Sequence, residues 1–131
     1  MTHFLFTLPY PTSRLNPNRA NGRAWYTKQA AKQAARDEAV CAFLELTRGE
    51  EMSIGAPPFE AVITMYPPDK RRRDLDNLYS SVKCQQDILC SLLHIDDADI
   101  QRVTLVKGAV KRGGAVTVEI RTMETLDKRE E

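Results

Sequence analysis

Arg71-Arg72-Arg73 runs directly into Asp74-Leu75-Asp76-Asn77, and a second acidic pair, Asp96-Asp97, follows further along the chain. Cations beside carboxylates form a combination with a definite use. Arginines neutralise a phosphate backbone, while carboxylate oxygens hold hard divalent ions such as Mg²⁺, which polarise a phosphorus centre and lower the pKa of an attacking water. Together they imply phosphodiester cleavage.

The elements that must position these residues read as strand, long irregular arm, helix, strand, helix and a closing hairpin. His3 to Leu8 is a short apolar run stopped by Pro9 and Pro11, and the arm beyond it is rich in proline, asparagine and arginine up to Asn21-Gly22. Thr27 offers an N-cap for a helix from Lys28 to about Thr47, with Ala35, Ala39, Phe43 and Leu46 at helical spacing and Arg48-Gly49 as the stop. Phe59 to Tyr66 alternates like a strand and ends at Pro67-Pro68; Ile100 to Val110 and Ala115 to Arg121 read as two strands joined around Lys111-Arg112-Gly113-Gly114. The expected class is α+β: one domain over 1–131 with a mixed sheet, two main helices in the order β-α-β-α-β-β and a charged tail over 122–131.

The second helix carries the chemistry. At about 100° per residue from Asp76, Leu78, Val82, Leu89 and Leu93 fall between about 200° and 260°, a single inward stripe. Ser80, Lys83 and Asp87 fall within about 40° of Asp76, which makes an outward working line. A helix of about 18 residues is about 27 Å long. Asp97 must therefore reach the acids at the helix start from the neighbouring end of the sheet or from a partner subunit.

Composition narrows the alternatives. A chain of 131 residues, 42% hydrophobic, fits one domain with a modest core. With a formal net charge of only +1, DNA binding has to rest on local charge. Three cysteines, Cys41, Cys84 and Cys90, lack CxxC spacing and suit reduced thiols in the cytoplasm. No run of about 18 apolar residues reads as a membrane span, and the N-terminus has no basic leader. Asp74-Leu75-Asp76 opens like a calcium hand, but Leu78, Tyr79 and Gln85 stand where that loop needs an oxygen ligand, a glycine and a glutamate. Helix capping remains open for Asp74 and Asp76, and a turn for Asp96-Asp97. Further phosphate contacts are expected from Lys28, Lys32 and Arg36, spaced i, i+4 on the first helix, from Arg14, Arg19 and Arg23 in the arm, and from Lys111 and Arg112, with plain solvent exposure as the competing reading. Trp25 and Tyr26 suit either anchoring of the arm or base stacking.

Arg73-Asp74-Leu75-Asp76-Asn77 with Asp96-Asp97, preceded by Leu8-Pro9-Tyr10-Pro11-Thr12-Ser13 and Asn16, resembles the RusA-type Holliday junction resolvases, and the resemblance runs over nearly the whole chain. It implies a homodimeric, Mg²⁺-dependent endodeoxyribonuclease, with Mn²⁺ as a substitute, that cuts four-way DNA junctions in the recombination and repair of bacteria and their phages. Asp74, Asp76 and Asp97 would hold the metal, and Arg71, Arg72 and Arg73 would contact phosphate. Members of this family usually carry a lysine three residues after the asparagine, where this chain has Ser80; Lys83, one turn on and in line with Asp76, is the expected replacement as fourth catalytic residue. Two alternatives stay open: a junction-binding accessory without turnover, and a nuclease with broader structural specificity.

Overall fold

The computed structural model describes residues 3–11, 24–71 and 73–123, with the side chains of the first helix described from Gln29 onward. Strand β1 (His3–Leu8) leads to helix α1 (Ala24–Thr47), strand β2 (Phe59–Tyr66), helix α2 (Leu75–Leu92), a short 3-10 turn (Asp97–Asp99), strand β3 (Ile100–Lys107) and strand β4 (Ala115–Thr122). The class is α+β: a four-stranded mixed sheet in the order β1-β4-β2-β3 with two helices.

Period-two patterning builds the sheet. Phe4, Phe6 and Leu8 of β1, Phe59, Ala61, Ile63 and Met65 of β2, and Val116, Val118 and Ile120 of β4 all turn inward and are buried. Val82, Leu89 and Leu93 of α2 close over them, each worth about 1.5–3 kcal/mol on full burial. The helix buries more than its apolar stripe, since Gln85 and Gln86 are also enclosed. Gln85 donates toward Glu38 of α1 at 3.4 Å and Gln86 accepts from the Tyr79 hydroxyl at 3.0 Å. The cause is α1, which packs along α2 and adds a second covered flank.

The expected closing hairpin does not form. β3 pairs with β2 in parallel and β4 pairs with β2 and β1 antiparallel, so β2 lies between β3 and β4. Segment 108–114 steps across the end of β2: Gly108 N–H donates to Met65 O at 2.8 Å and Lys111 N–H to Pro67 O at 2.8 Å. Gly108 permits the step, because a Cβ there would lie 2.6 Å from the Tyr66 ring. β3 accordingly ends at Lys107 rather than Val110.

Other expectations shift by less. α1 starts at Ala24, so Thr27 lies inside the helix and does not cap it. In its last turn Leu46 stays 44% exposed while Thr47 takes the inward place and donates its hydroxyl to Phe43 O at 2.8 Å. β3 is a sheet edge, with Val103 and Val106 exposed. Buried Glu60, at the start of β2, is neutralised by Arg102 and Arg121 from the strands on either side.

Candidate active site

The segment between β2 and α2 is organised by Asp69. Its Oδ1 accepts from the Arg71 amide at 2.9 Å and from Arg73 Nη2 at 2.8 Å, and its Oδ2 pairs with Arg71 Nη2 at 3.3 Å. These donors, the Arg71 amide foremost, hold the Asp69 carboxyl below the usual carboxylate range. Arg73 also donates to the backbone carbonyls of Asp69 and Arg71 and lies over the Tyr10 ring, 5.6 Å from its centroid. With its side chain 19% exposed, Arg73 fastens the segment to the strand side of the molecule. Arg71, 83% exposed, faces solvent. Arg72 lies outside the described residues.

Asp74 occupies the N-cap position of α2 in extended backbone conformation, yet its side chain makes no capping hydrogen bond. The capping reading thus fails to explain its carboxylate. Asp76 follows in the exposed first turn, and Ser80 donates to Asp76 O at 3.0 Å.

The second cluster lies midway along the same helix. Lys83 Nζ meets Asp87 Oδ1 at 2.5 Å and Asp97 Oδ2 at 3.5 Å. Asp97 comes back onto α2 because His94, with φ of 60°, turns the chain, and Asp96 then starts the 3-10 turn by accepting from the Ala98 amide at 2.9 Å. Asp96 is used by the turn; Asp97 is turned toward the helix. Burial, the largest single influence on Lys83, lowers its pKa, but the hydrogen bond to Asp87 and the charges of Asp87, Tyr79 and Asp97 together raise it. Cys90 beside them is pushed up to about 12, first by burial and then by Asp87 and Asp97.

The structure therefore brings together Lys83, Asp87 and Asp97. Lys83, where Asp97 is held, lies seven positions beyond Asp76, about 10 Å along the helix axis. Among the described residues no group of three or more metal-ligating side chains converges on one point. The donors are nonetheless the hard carboxylate oxygens that Mg²⁺ takes.

Sequence reasoning set Asp87 on the Asp76 line, where it meets Lys83 at i+4, but left it out of the candidate site residues. It also passed over Lys70 and Lys107. Lys107 pairs with Met65 at the end of β3, and both lysines line a cavity of about 220 Å³ with Arg71, Arg73, Met65, Pro67 and Leu78. Of the other phosphate-contact candidates, Lys32, Arg36, Lys111 and Arg112 are exposed. Arg14, Arg19 and Arg23, and the side chains of Trp25, Tyr26 and Lys28, lie outside the described residues.

The molecule is an α+β protein whose mixed sheet holds a parallel β2-α2-β3 unit, with carboxylates on the helix of that unit and cations at its start. No protein-family profile matches the chain. The crossover junction endodeoxyribonuclease rusA of Enterobacteria phage 82 is 34% identical over 126 residues, covering 94% of this chain and 98% of that protein. The crossover junction endodeoxyribonuclease RusA of Escherichia coli (strain K12) is 33% identical over the same shares, and that of Enterobacteria phage HK97 is 26% identical over 131 residues, 96% of this chain and all of its own length. The chain belongs to the RusA family of crossover junction endodeoxyribonucleases.

Among the described residues no helix is long and apolar enough to cross a membrane.

Proposed function

We propose that this protein resolves four-way DNA junctions as a Mg²⁺-dependent homodimer, nicking two symmetry-related strands in recombination and repair within the cytoplasm. The observation that carries the reading is the return of Asp97 onto Lys83, on the helix line that begins at Asp76, in a chain alike to crossover junction endodeoxyribonucleases from end to end. A two-fold enzyme matches a two-fold substrate, since each protomer then offers one site to one of the paired strands.

Asp74, Asp76 and Asp97 would hold Mg²⁺, with Mn²⁺ able to replace it; once bound, the ion would orient a water for in-line attack and offset charge on the departing oxygen. Lys83 supplies a cation to the phosphate. In the free protein its charge is balanced by Asp87 and Asp97, and substrate and metal binding would redistribute those contacts. Asp87 keeps the ammonium pointed along the working line. The role carried in the family by a lysine at position 80 falls to Lys83, because Ser80 bonds back to its own helix.

Two arrangements complete the acidic set: segment 94–99 closes toward the start of α2, or Asp97 of a partner protomer serves the site. Mixed dimers of Asp76→Asn and Asp97→Asn separate them. With shared sites, one site in the mixed dimer keeps all its carboxylates and single-strand nicking returns; with sites inside each protomer, both stay inactive.

The test of the reading is a panel of junction, flap, duplex and single-stranded DNA, each with Mg²⁺ and with EDTA. Paired symmetric nicks confined to the junction and abolished by EDTA support resolution. Equal cutting of flap and junction would establish a broader nuclease, and junction binding without cutting an accessory protein.

A further inference from the structure

The cavity beside the start of α2 is distinct from the carboxylate line. Its floor and walls are apolar, formed by Met65, Pro67 and Leu78, and its cations come from two elements: Lys70, Arg71 and Arg73 from the β2-α2 connection and Lys107 from the end of β3. Arg71 and Arg73 are paired with the one carboxylate of Asp69. Lys70 and Lys107 have no carboxylate within ion-pairing distance among the described residues. Four cations facing a single acid leave a local positive excess in a protein whose net charge is only +1.

The position is as informative as the charge. Lys107 and Met65 stand side by side at the carboxyl ends of the parallel strands β3 and β2, and Leu78 lies one turn into α2. In open α/β arrangements this crevice is where ligands are received. The corner is held on both sides: Gly108 fits beneath Tyr66 so that β3 can end against β2, and the Asp69-Arg73-Tyr10 contacts fix the opposite wall. The first turn of α2 thus has the cavity on one side and Asp74 and Asp76 at its start.

We propose that this cavity receives one nucleotide unit of a DNA strand, its backbone phosphate held by Lys70 and Lys107 and its deoxyribose set against Leu78 and Pro67. The phosphate is one flanking the phosphate that is cut, so Lys70 and Lys107 are binding residues and take no part in the chemistry. The inference rests on the reading of the chain as a junction nuclease and extends it to residues outside the arginine run and the acidic set. An apolar wall with a cationic rim fits a sugar-phosphate better than a free anion, which would leave the apolar wall unused.

Two measurements test it and keep its failure separate from that of the junction-nuclease reading. In the first, junction affinity is measured against salt, with EDTA present, for the wild type, for the Lys70→Gln/Lys107→Gln double variant and for Arg48→Gln, a charge removed at the far end of α1. Removing one lysine–phosphate pairing should reduce the slope of log affinity against log salt by about 0.9. The double variant, which releases that one phosphate, is expected to lose about one such pairing and to bind roughly tenfold more weakly, uniformly across sequences, while Arg48→Gln keeps the wild-type slope. In the second, a short single-stranded oligothymidylate is titrated into the wild type and amide shifts are mapped by NMR; changes centred on Lys70, Arg71, Leu78, Lys107 and Gly108 are expected. If the junction is bound and cut but the double variant keeps the wild-type slope, the cavity inference is overturned and the nuclease reading stands. If the junction is not preferred yet the oligothymidylate shifts those amides, the cavity stands and the nuclease reading falls. Shifts elsewhere, with an unchanged slope, overturn the cavity whichever substrate the protein prefers.

Discussion

Two charged clusters on either side of one helix start make opposite use of their cations. Before α2, Arg73 commits its guanidinium to Asp69, two backbone carbonyls and the Tyr10 ring. Halfway along α2, Lys83 is held by two carboxylates that remain open to solvent. A cation with four partners and little exposure maintains a wall. One balanced between exposed acids can change partners when a phosphate arrives. The residue type states that a charge is present, and only the surrounding donors and acceptors state whether it is available.

The largest effect that would break this contrast comes from the acid that defines the second cluster. Asp97→Asn is expected to lower Mg²⁺-dependent junction cleavage by about a hundredfold or more, equivalent to about 2.7 kcal/mol of transition-state stabilisation, with junction binding unchanged or tighter because a repulsive charge is gone. Gel-shift and single-turnover assays on the same preparation check both halves. Asp76→Asn should behave alike.

Lys83→Ala comes next, with an expected loss of at least about tenfold in turnover, equal to about 1.4 kcal/mol, and little change in junction affinity. Ser80→Lys in that background should recover part of the rate. Wild-type activity in Lys83→Ala would reduce the lysine to a helix-surface partner of Asp87, an interaction worth a few tenths of a kcal/mol.

The first cluster yields a different signature. Arg73→Ala and Asp69→Asn remove opposite ends of the same contacts, so both should speed amide exchange across residues 69–74 to a similar extent. If Arg73 served only as a phosphate contact, Asp69→Asn would leave exchange and affinity untouched. The smallest effect is its pH dependence. A carboxyl whose folded pKa is depressed contributes order above its ordinary value, near about 3.9, and loses that contribution as pH falls through the lowered folded value. Exchange in this segment should therefore quicken below about pH 4 in the wild type and show no such step in Asp69→Asn.

The sequence was most legible where a local period decides the outcome. Strands β1 and β2 begin and end where alternation and prolines predict, and Val82, Leu89 and Leu93 turn inward from α2 as their angles require. It was least legible where distant segments choose partners. Segment 108–114, with Gly113-Gly114, has the length and turn residues of a hairpin loop, but the same length spans one intervening strand, and nothing local distinguishes the two. For the same reason Lys107, an ordinary lysine at a strand end, gains meaning only when the sheet order sets it beside Met65 and Lys70. The Asp97 and Lys83 contact was half readable: the outward line of α2 was in the periodicity, and the turn at His94 that folds Asp97 onto it was not.

A supercoiled plasmid with an extruded cruciform offers the most direct measurement of the central claim, that paired sites of this kind resolve four-way junctions. In Mg²⁺ the wild-type protein is expected to convert the plasmid to linear product, because both strands are cut within one bound complex. EDTA, and Asp97→Asn in the presence of Mg²⁺, should leave it supercoiled. Accumulation of nicked circles without linear product, or linearisation by Asp97→Asn at the wild-type rate, would contradict the account.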